Sequence, residues 1–213
     1  MKKWCLGFVL MLGTITAEEP TFVVRNFSHL LEMPGWNQDL LLMHFRLYEG
    51  YVKNTNLLLE KLNHMDKKSY DFGAMKRRLA WEWDGMRLHE LYFENLGKKS
   101  TVSLDASLQK RIQKDFGSID AWKEDFIATG MMRGIGWVIL YKDKQTSKLC
   151  NVWINEHDVG HIALGNPLLI MDVFEHAYIT QFALDRGKYI DLFFQSIDWS
   201  TVNQRWASSQ VAE

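Results

Sequence analysis

The sequence has 213 residues, of which 47% are hydrophobic and 24% are charged, and its formal net charge is −1. These values are typical of a folded globular protein with one domain or two small domains that share an interface, and they exclude extensive disorder. A nearly neutral chain also gives no indication of nucleic acid or an anionic membrane as a partner, and we expect neither.

Residues 1–17 have the pattern of a signal peptide. Lys2 and Lys3 precede an apolar run from Trp4 to Ile15, and Ala17 is followed by two glutamates. The run is too short to span a bilayer comfortably. We therefore expect cleavage after Ala17 and a periplasmic or secreted mature protein that is not attached to a membrane. A buried N-terminal segment or an interfacial anchor is the alternative.

Two long amphipathic helices are predicted next. Apolar residues follow helical spacing over Asn37–Met65, and Asn37 is a suitable N-cap residue. A second helical pattern runs from about Asp71 to Leu96 and stops at Gly97, a residue type common just after a helix end. Because the connection is short, the two helices are predicted to form an antiparallel hairpin.

The rest of the chain alternates shorter helices with strand patterns. Helices are predicted over Asp105–Phe116, from Ile119 to about Met132, from about Phe174 to Asp185, around Lys188–Ile197, and for a turn or two after Asp198. Strands are predicted over Trp137–Tyr141, Lys148–Ile154 and Pro167–Met171. The fold class is therefore α+β, with a helical hairpin domain over residues 18–103 and a C-terminal α/β domain over residues 104–213 that contains a small sheet.

Two histidines lie on the apolar faces of the predicted long helices. His44 shares its face with Leu47 and Tyr51, and His89 shares its face with Phe93. A buried imidazole needs partners for both ring nitrogens, and two inward imidazoles on paired helices could meet that need by holding one metal ion. The alternative is that each is a hydrogen-bonded structural residue.

Asp172 and His176 form a second pair of candidate ligands. Asp172 directly follows an apolar strand, where an unpaired carboxylate would be costly to bury and a cation would compensate it. The alternative is that Asp172 caps the following helix. Together with His44 and His89, the pair gives three imidazoles and one carboxylate, a set that suits iron, manganese or zinc and lacks the thiolates of a closed zinc site.

The run from Asp172 to Tyr178 resembles the signature Asp-x-Trp-Glu-His-Ala-Tyr of the iron/manganese superoxide dismutases. Further motifs of that family occur in the same order over about residues 37–206. The segments of this chain that resemble them are Tyr51-Val52 with Asn56, His89 with Tyr92-Phe93, Phe116-Gly117-Ser118 and Gly134-Ile135-Gly136-Trp137.

The resemblance implies a helical hairpin followed by an α/β part with a three-stranded antiparallel sheet. One iron or manganese ion per chain would lie between the two parts, bound by His44, His89, Asp172 and His176. The resemblance also implies an enzyme that converts superoxide to dioxygen and hydrogen peroxide by one-electron cycling of the ion. A homodimer is also implied, in which Glu175 accepts a hydrogen bond from His176 of the partner subunit.

By the same resemblance, Tyr51 and His157 are the candidate catalytic residues beside the metal. Tyr51 matches a tyrosine near the substrate channel, and Trp137 and Phe93 would line the metal pocket. The family places an amide or imidazole beside the metal-bound solvent, either from the second helix or from the sheet region. Since Gly85 occupies the helix position, His157 is expected to take that role, and a surface-loop histidine is the alternative.

The sequence departs from the family at the mouth of the channel. A usual His-His pair falls near Leu47, Tyr48 and Glu49, and the tyrosine that works with it is replaced by Ile179. A non-catalytic metal-binding protein with a remodelled channel is therefore an alternative function, and a zinc hydrolase that uses the same ligands is another. The choice between iron and manganese, and between a dimer and a higher oligomer, stays open.

Overall fold

The computed structural model describes residues 21–98 and 101–210, so the predicted signal peptide at residues 1–17 lies outside the described residues. Among the described helices, none combines the length and the apolar character that a bilayer span requires.

The first half of the molecule is the predicted helical hairpin. Helix α1 spans Gln38–His64 and helix α2 spans Tyr70–Glu94. The Asn37 side chain accepts hydrogen bonds from the free amides at the start of α1, and Ser69 does the same for α2. Since these caps and the apolar stripes are local features, the sequence predicted both helices to within a few residues.

The second half contains the predicted mixture of helices and strands. In chain order these elements are α3 (Ala106–Phe116), α4 (Ile119–Gly130), β1 (Gly136–Asp143), β2 (Leu149–Asn155), β3 (Gly165–Asp172), α5 (Ile179–Phe182), α6 (Arg186–Gln195) and α7 (Trp199–Ser208). The three strands form one antiparallel sheet in the order β2-β1-β3. The fold class is α+β, as predicted, and the proposed domain boundary between residues 103 and 104 falls between α2 and α3.

The prediction of one helix from about Phe174 to Asp185 is wrong. The chain forms a 3-10 turn at Glu175–Ala177 and then the single-turn helix α5, and this helix ends at Ala183 with φ +50°. The backbone amide of Phe174 donates to Asp172 Oδ1 at 2.8 Å, and the ring of His176 returns to Asp172 Oδ2 at 3.2 Å. These contacts of Asp172 favour a tight turn there instead of a continuous helix.

A segment before α1 carries core residues that the sequence analysis did not assign to any element. It contains a 3-10 helix at Ser28–Glu32. The side chains of Phe27, Leu30, Met33 and Trp36 are all buried in the common hydrophobic core. Its structure depends on packing against the rest of the protein, because a single 3-10 turn has little stability of its own.

Asn95, just after α2, joins the hairpin to the sheet. Its Oδ1 accepts from the amide of Ile170 at 2.9 Å, and its Nδ2 donates to the carbonyls of Ile170 at 3.1 Å and Tyr92 at 2.9 Å. The side chain is fully buried, so these bonds are protected from competing water. Asn95 thereby fixes the end of α2 against β3, and these two elements carry His89 and Asp172.

Candidate metal centre

The four predicted ligands meet where the helical hairpin packs against the sheet. His44 comes from α1, His89 from α2, Asp172 from the end of β3 and His176 from the following 3-10 turn. Their potential ligand atoms all lie within 4.8 Å of one another. The first three residues are fully buried, and the His176 side chain is 17% exposed. Residues far apart in the sequence thus form one cluster.

Asp172 lies at the middle of this cluster. Its Oδ2 is 3.1 Å from His44 Nε2, 3.2 Å from His176 Nε2 and 3.7 Å from His89 Nε2. Its Oδ1 accepts the Phe174 amide and holds the local turn, but neither the following 3-10 turn nor α5 has a side-chain cap, so the alternative of a helix-capping Asp172 is wrong. One oxygen therefore holds the turn, while the other faces three imidazoles.

The hydrogen bonding of the cluster fits a bound metal ion. His89 Nδ1–H donates to the carbonyl of Gly85 at 2.5 Å, which leaves the lone pair of a neutral ring on Nε2. Among the described residues, the buried side-chain nitrogens without a hydrogen-bond partner are this Nε2 and His44 Nδ1. His44 already turns its Nε2 to Asp172 Oδ2, so the atom that faces the cluster without a partner is His89 Nε2, 3.7 Å from that oxygen. Because buried polar atoms are almost always satisfied, this nitrogen indicates that a further group belongs here.

The charges of the four side chains also suit a cation. Burial lowers the pKa of His44 and lowers that of His89 well below its ordinary value, so both rings stay in the neutral form that binds metals. Burial by itself raises the pKa of Asp172, but the neighbouring His176 and His44 hold it well below its usual range. The site therefore presents neutral imidazoles together with an ionised carboxylate.

Tyr51, His157 and Trp137 form a hydrogen-bonded chain beside the cluster. Trp137 Nε1–H donates to His157 Nδ1 at 3.1 Å. Because an indole nitrogen can only donate, the proton of a neutral His157 is on Nε2, which donates to the Tyr51 hydroxyl oxygen at 2.8 Å. His157 is fully buried, so the alternative of a surface-loop histidine is wrong.

This chain keeps Tyr51 available as a proton donor. Burial lowers the pKa of His157 to about 4 and raises the pKa of Tyr51, so His157 is neutral and Tyr51 is protonated at neutral pH. Since His157 already donates to the Tyr51 oxygen, the hydroxyl proton of Tyr51 can point elsewhere. The Tyr51 ring stacks on His89 with a centroid distance of 5.0 Å, which places it next to a predicted ligand.

Gly85 provides the space for Tyr51. A Cβ atom at this position would lie 2.7 Å from Tyr51 Cδ1, closer than such contacts normally occur. The absence of a side chain at Gly85 and the position of the Tyr51 ring are therefore linked.

Residues 104–205 match the model of a family described as iron/manganese superoxide dismutases, C-terminal domain. Over a longer stretch of 184 residues, the chain is 32% identical to the iron superoxide dismutase of Cupriavidus metallidurans. This aligned stretch covers 84% of this chain and 92% of that protein. The chain belongs to the iron/manganese superoxide dismutase family.

Relatives in this family are named for either metal. The chain is 31% identical over 172 residues to a manganese superoxide dismutase of Haloferax volcanii, which covers 79% of this chain and 85% of that protein. It is 33% identical over 169 residues to the iron superoxide dismutase of Pyrobaculum aerophilum, which covers 77% of this chain and 80% of that protein. Similar identities to both groups leave the choice between iron and manganese undecided.

The structure shows how this family member differs at the channel positions. Tyr48 is buried, its hydroxyl donates to Glu90 Oε1 at 3.0 Å and it accepts from the amide of Arg25 at 3.1 Å. These bonds direct Tyr48 towards α2 and the N-terminal segment. Ile179 is 38% exposed and carries no titratable group. The two positions therefore form no polar pair with each other.

Trp81 is a neighbour of His157 and Tyr51 that the sequence patterns did not identify. Its ring lies 4.5 Å from that of His157 and 5.5 Å from that of Tyr51, and its indole N–H donates to Glu156 at 2.9 Å. The available signal was helical spacing, since Trp81 precedes Gly85 by four residues, as Gly85 precedes His89.

Proposed function

We propose that this protein is a superoxide dismutase that holds one iron or manganese ion through His44, His89, Asp172 and His176. The observation that carries the proposal is the buried cluster of three imidazoles around one carboxylate, in which the His89 nitrogen that faces the carboxylate has no hydrogen-bond partner. The bound ion would supply a one-electron redox change and an open position for a small anion. The family of the chain supports the same function.

The protein would favour the approach of superoxide through the charge of its ligand set. The three imidazoles are neutral ligands, and Asp172 contributes one negative charge. A divalent or trivalent cation in this set leaves a net positive charge in a largely buried site, where electrostatic attraction is stronger than in water. An anionic substrate is therefore preferred over a neutral one.

Tyr51 and His157 would manage protons during the reaction, since the peroxide product requires two of them. The Nε2–H of His157 fixes the oxygen of Tyr51, and burial keeps the Tyr51 hydroxyl protonated. Tyr51 is thus held as a donor whose proton can turn towards a reacting oxygen. Trp137 acts one step further away, because its indole proton determines which nitrogen of His157 carries hydrogen.

We also propose a homodimer in which Glu175 accepts a hydrogen bond from His176 of the partner subunit. Support comes from exposure: Glu175 is exposed, and the His176 side chain is 17% exposed although it belongs to the metal cluster. Ile179 adds an apolar contact surface three residues further on. A periplasmic or secreted location is proposed from the N-terminal sequence pattern alone.

The proposed function is tested by measuring metal content and superoxide consumption on one preparation of the purified protein. We expect about one iron or manganese ion per chain together with rapid consumption of superoxide. Bound iron or manganese without consumption would instead favour the non-catalytic metal-binding protein. Zinc as the only bound metal would favour the hydrolase.

Replacing His157 by alanine is expected to leave the metal content unchanged and to reduce superoxide consumption about 10- to 100-fold, the usual effect of losing a hydrogen-bonding neighbour of a metal site. The reason is that Tyr51 loses the donor that orients its hydroxyl. The measurement is activity as a function of pH, with the exposed His64, replaced by alanine, as the control. Unchanged activity across the pH range would contradict a role for His157.

A further inference from the structure

A short turn at the end of β2 carries His157. It is closed by two backbone bonds, from the Asn155 amide to the Val159 carbonyl at 2.8 Å and from the Val159 amide to the Asn155 carbonyl at 3.3 Å. Within it, Glu156 has φ +52°, a left-handed conformation that residues other than glycine adopt rarely. The turn therefore holds an unfavourable backbone conformation, and contacts from outside it are needed to keep His157 in place.

His161 supplies such a contact. Its ring Nε2 lies 2.8 Å from the backbone carbonyl oxygen of His157, and its Nδ1 lies 2.8 Å from the hydroxyl of Tyr141 on β1. A carbonyl oxygen only accepts, so Nε2 of His161 carries a proton, and Nδ1 of the neutral ring accepts from Tyr141. The imidazole therefore bridges the turn and the sheet, and Tyr141 is itself only 4% exposed.

A further neighbour of His161 is Asp84 on α2. Its Oδ2 lies 3.7 Å from His161 Nε2, and the side chains of Asp84 and His161 are 33% and 31% exposed. Asp84 directly precedes Gly85, whose carbonyl accepts the Nδ1–H of His89. His161 thus contacts three parts of the molecule, which are the turn, the sheet and the helix that carries a candidate ligand.

We propose that His161 is a positioning residue that sets the place of His157 against Tyr51. This inference rests on the proposed function. The link has two steps, in which His161 holds the carbonyl of His157 and the Nε2–H of His157 donates to the Tyr51 oxygen at 2.8 Å. His161 does not belong to the ligand cluster, so its effect on the reaction passes through His157.

A residue that acts through another has a distinct signature in a double-mutant cycle. If His161 works only by placing the ring of His157, its replacement loses its effect once that ring has been removed. If His161 instead supports the site in general, the two replacements lower the rate independently and their effects multiply. The cycle therefore separates positioning from a purely structural role.

The test compares the metal-loaded wild type with His161→Ala, alone and combined with His157→Ala. We expect His161→Ala to lower kcat about 3- to 10-fold at unchanged metal content, because misplacing His157 costs part of the effect of losing it. In the His157→Ala background, the same change should lower kcat by less than about twofold.

Two further replacements and a control identify which bond matters. His161→Gln keeps an N–H donor that can reach the His157 carbonyl, so it should recover most of the wild-type kcat. Tyr141→Phe removes only the partner of Nδ1 and should cost less than His161→Ala. The matched control is Val159→Ala, which alters an exposed side chain of the same turn, keeps both bonds of the His161 ring and should behave as wild type.

A second measurement does not depend on turnover. In the protein loaded with zinc, a diamagnetic ion that histidine and aspartate also bind, nitrogen–proton correlation spectra report which nitrogen of His157 is protonated and how fast that proton exchanges with water. We expect one tautomer, with the proton on Nε2, in the wild type and in Val159→Ala. In His161→Ala the proton should exchange at least about tenfold faster, because the turn opens more often.

An effect of His161→Ala that persists in full in the His157→Ala background would overturn the inference, and so would an unchanged kcat together with unchanged proton exchange. A His161→Gln variant as impaired as His161→Ala would also overturn it, because the retained donor would then make no difference. A wild type that consumes no superoxide would overturn the proposed function instead. The proton exchange would then still decide whether His161 holds His157 in place.

Discussion

Replacing His176 by alanine is expected to lower metal content and to reduce superoxide consumption by more than about 100-fold, since even the neighbours of metal ligands contribute 10- to 100-fold. His176 Nε2 lies 3.2 Å from Asp172 Oδ2 and is one of only four donor groups in the cluster. Its removal leaves three donors and a buried carboxylate with less compensation. The measurement is metal analysis and activity of the purified variant, with retention of both as the contradicting outcome.

The same substitution separates the metal role of His176 from its role in the proposed dimer when it is compared with Glu175→Ala. His176→Ala should weaken both metal binding and dimerisation, which sedimentation would measure. Glu175→Ala should weaken dimerisation and leave the metal bound, because Glu175 is exposed and lies outside the ligand cluster. A variant His64→Ala, altered at an exposed histidine of α1, controls for loss of an imidazole in general.

Replacing Gly136 by alanine is expected to lower the free energy of unfolding by about 3 kcal/mol or more. Gly136 has φ +143°, and a Cβ atom there would lie 1.9 Å from the carbonyl oxygen of Ile154 on the paired strand. Since the obstacle is backbone, no rotamer change can relieve it. Gly136 also accepts the amide of Val173 at 2.9 Å, next to Asp172, so the metal cluster should be disturbed as well.

The matched control for Gly136→Ala is Gly73→Ala in α2. Nothing lies within 4 Å of a Cβ atom at Gly73, and its backbone is helical. We expect this variant to gain about 0.5–1 kcal/mol, because alanine loses less conformational freedom on folding than glycine does. Chemical denaturation of both variants measures the two changes, and a similar effect of both would contradict the proposed clash at Gly136.

Local sequence signals were sufficient for the helical hairpin and for its two candidate ligands. Capping residues and apolar spacing defined α1 and α2, and the same spacing placed His44 and His89 on the faces that are buried in the structure. These signals act between residues that are close along the chain. Sequence patterns indicated a small sheet and four candidate ligands. The resemblance to a family added the antiparallel arrangement of three strands and the candidate roles of Tyr51 and His157, which spacing alone does not contain.

Tertiary contacts decided what the sequence did not determine. The turn after Asp172 replaced a predicted helix because one carboxylate bonds to the Phe174 amide and also faces His176. The segment before α1 folds onto a core made by other parts of the chain.

The sequence by itself determined the class of the fold, the four residues that form the cluster and the family to which they point. Only the tertiary structure decided that Trp137 fixes the protonated nitrogen of His157, that His157 orients Tyr51, and that Trp81 packs against both rings of that pair. The physical reason is that hydrogen-bond partners and ring contacts depend on distances between residues that are remote in sequence. Periodicity along one helix carries no information about such distances.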